Sequence, residues 1–115
     1  MTNRPRPPDH LRPDTADWWQ SVLRDYDLED HHIRLLRLAC ESWDRGQQAR
    51  EQIDRDGLTV RTADGGLKAH PAVAIERDTR LAFARLVREL DLDAGAPSER
   101  SRPPALGSNR RQPCP

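Results

Sequence analysis

The chain has little with which to build a chemical centre or cross a membrane. Only two of its 115 residues are cysteine, and aromatic residues make up 4%. Cys40 lies inside a helical pattern and Cys114 is penultimate, so the two match neither a metal-ligand spacing nor a disulfide framework. Cys40 is expected to be a small buried hydrophobe and Cys114 a free tail thiol. No apolar run approaches the roughly 20 residues that span a bilayer, and the first residues lack the apolar stretch of a signal peptide, so the expected compartment is the cytoplasm. Asp64-Gly65-Gly66 is followed by no Gly-Lys-Ser or Gly-Lys-Thr and preceded by no long strand, which excludes a phosphate-cradling nucleotide loop.

What is present is enough for one modest core, with 35% hydrophobic and 33% charged residues. Nine of the ten prolines fall before Asp14 or after Ala96, leaving Pro71 alone inside. The net charge of zero hides a division. Residues 14–94 hold 12 Lys or Arg against 17 Asp or Glu, a balance of −5, whereas the flanks carry Arg4, Arg6, Arg12, Arg100, Arg102, Arg110 and Arg111 against Asp9 and Glu99, a balance of +5. The expected organisation is a disordered basic arm over 1–13, a helical domain over 14–94 and a disordered basic tail over 95–115, because proline-rich, non-periodic segments cannot repay the entropy of ordering.

Within the body the spacing predicts a mostly α fold: a three-helix body with a short β-hairpin between the second and third helices. Trp18, Trp19, Val22 and Leu23 share one face of a helix over 15–24, with Asp14 or Thr15 as its cap. A second helix follows, beginning near Glu29 or Asp30 and running to Asp56, closed by Gly57 in a left-handed conformation. Its apolar residues, Ile33, Leu35, Leu36, Leu38, Ala39, Cys40 and Trp43, cover well over half its circumference, and beyond Trp43 it turns polar. Gly46 inside it costs about 1 kcal/mol relative to alanine, tolerable where another backbone comes close. Leu58–Thr62 and Leu67–His70 flank Asp64-Gly65-Gly66 as a hairpin. Pro71 opens a third helix whose stripe is Ala72, Ile75, Thr79, Ala82, Phe83, Leu86, Val87 and Leu90, with Leu81 on the opposite side.

Candidate chemistry is thin. His31 and His32 are adjacent and Cys40 is more than two turns away, so no metal site is expected. His70 has no nucleophile partner and reads as a helix cap. Glu41, Asp44, Glu51 and Asp54 alternate with arginines as a solvated face. No catalytic residue, metal or cofactor is expected. The basic residues Arg4, Arg6, Arg12, Arg100, Arg102, Arg110 and Arg111 on the flanks, with Arg61, Lys68 and His70 at the hairpin, are candidate DNA contacts. Leu35, Leu38, Trp43 and Leu81 are candidate contacts between copies of the chain.

Asp56-Gly-Leu-Thr-Val60, Gly66-Leu-Lys-Ala-His-Pro71 and the helix from Arg80 to Leu90, taken in this order and after a tryptophan-bearing first segment, resemble the short phage terminase small subunits. The resemblance runs over about residues 16–100 and rests on Trp18 or Trp19, Gly57, Lys68, His70, Pro71, Phe83, Leu86 and Leu90. The family's closing Leu-Gly-Leu-Thr-Pro step stands here as an altered, slightly longer stretch from Leu90 to Pro97. The resemblance implies a homo-oligomeric, ring-forming, non-catalytic helical protein in the host cytoplasm. It would bind viral double-stranded DNA and regulate a terminase large subunit carrying the ATPase and nuclease. The competing reading is a dimeric helical DNA-binding regulator using the first two helices as a helix-turn-helix. Against it, Glu29-Asp30-His31-His32 is a poor opening for a groove-inserted helix.

Overall fold

The computed structural model describes residues 4–92. Helix α1 spans Pro13–Asp25, α2 Asp30–Asp56 and α3 Pro71–Leu90, and the strands β1 (Thr59–Arg61) and β2 (Leu67–Ala69) lie between α2 and α3. The three-helix body with one intervening hairpin is the expected architecture. The expected tail over 95–115 lies outside the described residues.

The helix ends show which local chemistry decides each boundary. Pro13 takes the first position of α1, two residues earlier than the cap chemistry of Asp14 and Thr15 suggests. Proline's fixed φ suits that position and its missing N–H costs nothing there. Thr15 is thereby drawn into the helix, and its hydroxyl turns to α2 instead of capping α1. At α2 the Glu29 N–H donates to His32 Nδ1 at 3.3 Å. Gly57 has the expected positive φ, +90°, but a ψ of 177° places it in extended backbone open almost solely to glycine, not in the left-handed helical region. The chain must run straight from α2 into the hairpin there, and Leu58 accepts a hydrogen bond from the His70 N–H at 2.8 Å.

Helices α2 and α3 run antiparallel, and two clusters hold them. The larger joins Leu11, Trp19, Val22, Leu23, Leu36, Cys40 and Leu90. The smaller joins Ala49, Ile53 and Ala72. Leu36 and Cys40 are fully buried, and complete burial of a leucine side chain stabilises by about 1.5–3 kcal/mol. Burial pushes the Cys40 thiol up to about 12, helped by the nearby Asp44 and Glu41 carboxylates, which leaves it an inert packing group.

Gly46 lies between the clusters and beside α3: a Cβ there would stand 2.8 Å from Thr79 Oγ1. Alanine at this position should therefore not deliver the helix-propensity gain of about 1 kcal/mol seen at open sites. Urea unfolding of a cycle tests this. Gly46→Ala alone is expected to be neutral or destabilising, and Gly46→Ala in a Thr79→Ala background stabilising. A gain in the single variant equal to that in the double would show that the helices do not meet there.

Candidate functional site

The sequence reading makes residues 1–13 a free arm, and residues 4–12 depart from it. They lie as a strap across α1 and α2, because three of their side chains find partners that composition does not reveal. Leu11 is buried in the larger cluster. His10 Nε2 lies 2.8 Å from Glu41 Oε2, and the Arg12 guanidinium makes two hydrogen bonds of 2.9 Å to Glu51. The Trp19 indole N–H donates to the Pro5 carbonyl at 3.2 Å.

Asp44 is the centre of this arrangement. It is 8% exposed, accepts the Thr15 hydroxyl at 2.6 Å through one oxygen and receives the Arg12 N–H at 2.8 Å through the other. The expectation that Asp44 belongs to a solvated face is therefore corrected. Its position gives the signal that was overlooked: Leu36, Cys40 and Asp44 stand four residues apart, on the line of α2 that faces α1.

The strap's acidic partners titrate below their ordinary range. Hydrogen bonding from Arg12 lowers Glu51 against a smaller opposing effect of burial. Burial raises Glu41, but hydrogen bonds from Arg37 and His10 outweigh it and leave the carboxyl lowered. A lowered folded-state pKa means stabilisation that is complete above the unfolded value and lost as pH falls through the folded one. The strap should thus detach in acid, below the usual glutamate range and before the helices unfold. The Trp19 indole N–H resonance should move while helical circular dichroism persists. Simultaneous loss of both signals would show that strap and body are a single unit.

At the hairpin His70 is the cap of α3 that the sequence predicts. Its Nδ1 accepts the Ala72 N–H at 3.0 Å and its Nε2 lies 3.1 Å from Asp56 Oδ2. The hydrogen bond from His70 is the main cause of the lowered Asp56 pKa. With both nitrogens engaged and the side chain 11% exposed, His70 clasps the end of α2 to the start of α3.

The remaining basic candidates separate by position. Val60 pairs with Lys68 and Arg61 with Leu67. Paired residues share a face and successive residues alternate, so Arg61 and Lys68 stand on opposite faces of the hairpin and form no common patch. Both are exposed, as are Arg4 and Arg6 on the strap. Arg12 is taken up by Glu51. Arg100, Arg102, Arg110 and Arg111 lie outside the described residues.

The candidate interface residues also divide. Leu38 and Leu81 are 50% and 65% exposed, but Leu35 packs against the larger cluster, so the apolar arc of α2 is partly covered within one chain. Leu38 and Trp43 are about 140° apart around α2 at roughly 100° per residue. Trp43 belongs to a separate feature. Its ring centroid is 5.0 Å from that of Phe83, which is 5.8 Å from that of Trp18. Three of the chain's five aromatic residues, contributed by all three helices, therefore meet beside a hollow of about 380 Å³ lined also by Asp14 and Thr15. The sequence reading put Trp18 and Phe83 in helical stripes and Trp43 on the wide apolar arc of α2, as a candidate contact between copies of the chain. Nothing local indicates that the three converge.

Donor atoms of Glu29, His31 and His32 lie within 4.8 Å of one another at the start of α2. Cys40 is buried and not among them. The positive end of the helix dipole works against a cation at that point, and His32 Nδ1 already accepts the Glu29 N–H.

No helix among the described residues is long and apolar enough to cross a membrane. No curated protein and no solved structure matches the chain. The sequence does match, over residues 17–109, the family described as "Phage terminase, small subunit". That stretch takes in α1 from Asp17 onward, α2, the hairpin and α3, and extends into the basic tail, so the chain belongs to the phage terminase small subunit family.

Proposed function

We propose that this chain is a non-catalytic, self-associating adaptor that binds viral double-stranded DNA through its basic flanks and regulates the terminase large subunit, where the ATP- and DNA-cleaving chemistry resides. The observation that carries the reading is the segregation of charge: a body of −5 over residues 14–94 beside flanks of +5. An acidic body repels phosphate, and exposed arginines attract it without needing a shaped pocket.

The placement of the basic groups supports the same division. His70 and Arg12 are occupied, and Arg61 and Lys68 diverge, which leaves Arg4, Arg6 and the four tail arginines as the concentrated positive charge. Weak contact by each subunit becomes useful affinity when several subunits present their flanks to one duplex. Exposed Leu38 and Leu81 are the apolar surfaces we assign to contact between subunits. Light scattering of the full chain, alone and with a duplex of about 30 base pairs spanning roughly 100 Å, tests the reading. An assembly larger than a dimer that takes up DNA is expected. A stable monomer that takes up none contradicts it.

A further inference from the structure

The strap and the end of α1 enclose a hollow of about 350 Å³ whose lining, among the described residues, carries three arginines and no carboxylate. Arg4 and Arg6 come from the strap, Arg24 from the last turn of α1, and Gln20, one turn earlier, adds an amide. Counting charge along the sequence groups Arg4 and Arg6 with the basic flank and leaves Arg24 inside the acidic body. The fold brings the three together.

The strap arginines are held in place and unpaired. The Trp19 indole N–H donates to the Pro5 carbonyl at 3.2 Å, which fixes the residue between Arg4 and Arg6, and the rings of Pro5 and Pro7 restrict the backbone on either side. Folding of the body therefore supplies much of the ordering that a ligand would otherwise have to impose. Among the described residues neither Arg4 nor Arg6 has a hydrogen-bond or ion-pair partner, although Asp25, Asp27 and Asp30 line the adjoining hollow together with Arg4 and Arg24. Arg24 is engaged only loosely. Its Nε donates to Asp25 Oδ1 at 3.4 Å and its Nη2 to the Ser21 hydroxyl at 3.3 Å. Both contacts are long and exposed, so they exchange readily for a better acceptor.

Three guanidinium groups around one space suit a tetrahedral oxyanion. A carboxylate engages one planar fork, whereas a phosphate presents oxygens in several directions at once. We propose that Arg4, Arg6 and Arg24 form a site for a single phosphate group, brought either by the backbone of a DNA duplex or by a free phosphate. The first source rests on the proposed DNA binding. The site itself does not, because inorganic phosphate probes it without DNA.

Titration of the full chain with sodium phosphate, at an ionic strength held constant with sodium chloride, tests the site through the NMR signals of the arginine Nε–Hε groups. Those of Arg4, Arg6 and Arg24 should move together and saturate with one dissociation constant, while that of Arg61 on the hairpin stays in place. Arg24→Ala should weaken binding about tenfold, as for the loss of one charge-assisted hydrogen bond. Arg24→Lys should weaken it less, because it keeps the charge and loses the fork. Asp25→Asn should strengthen it by freeing Arg24. Residues 24 and 25 are exposed, so circular dichroism should be the same in all three variants. Movement that never saturates, that Arg61 shares, or that Arg24→Ala leaves unaltered would overturn the proposal. Titration with a DNA duplex separates the two sources. If DNA supplies the phosphate, Arg24→Ala should also weaken duplex binding and reduce the salt slope by about one unit for each engaged subunit. Unchanged duplex binding beside weakened phosphate binding would assign the site to a free phosphate.

Discussion

Replacing Asp44 by alanine is expected to lower folding stability by about 2–4 kcal/mol, a large fraction of what a chain of this size has to lose. The carboxylate is buried and accepts two hydrogen bonds, from the Thr15 hydroxyl and the Arg12 N–H. Its removal leaves both donors without an acceptor and opens the junction where the strap, α1 and α2 meet. Asparagine should cost less, because its carbonyl can keep one donor while its amide confronts the other. Urea unfolding at constant m value gives the number. A Thr15→Ala/Asp44→Ala cycle should show that the two losses are not additive. A loss below about 0.5 kcal/mol would place Asp44 among ordinary surface carboxylates and leave the strap without its anchor.

The largest effect on DNA binding is expected from replacing Arg100, Arg102, Arg110 and Arg111 together. Each phosphate neutralised on duplex DNA contributes about −0.9 to the slope of log K against log salt, so four contacts per engaged subunit give about −3.6. Between 50 and 200 mM salt that slope corresponds to about a 150-fold loss of affinity. The quadruple alanine variant should lose most of this dependence and bind weakly even at the lower salt. Lys68→Ala should change the slope by about one unit at most. If the quadruple variant kept the slope of the unaltered chain, the contacts would lie on the body, with the hairpin as the next place to look.

The elements of the body were legible because each is written in adjacent residues. The 3.6-residue stripes of α2 and α3, proline following His70, and glycine after Asp56 all act locally. The structure reproduces them with two departures: Ile75 of the α3 stripe is 41% exposed while Val73 packs against the smaller cluster, and Gly57 takes the ψ needed to enter a strand directly. What escaped depends on residues far apart in the chain. Arg12 looks like one more arginine of a proline-rich arm until Glu51 is brought opposite it, and Leu11 looks stray until α1 and α2 leave a space for it. Asp44 was misread because its neighbours alternate in charge, although its register with Leu36 and Cys40 marked the buried side. The convergence of Trp18, Trp43 and Phe83 is purely tertiary, since it requires three helices to cross at one level. Basic residues were easy to count but not to assign: only the fold shows that Arg12 and His70 are occupied and that Arg61 and Lys68 face apart.

An assay of the cognate terminase large subunit, with and without this chain and duplex DNA, tests the adaptor role most directly. Alone, the chain is expected to hydrolyse neither ATP nor DNA. Added to the large subunit, it should change the rate of ATP hydrolysis or DNA cleavage, and the quadruple arginine variant should lose the DNA-dependent part of that change. Metal-dependent DNA cleavage by the purified chain, abolished in His70→Ala while the fold persists, would contradict the adaptor role and make the chain an enzyme.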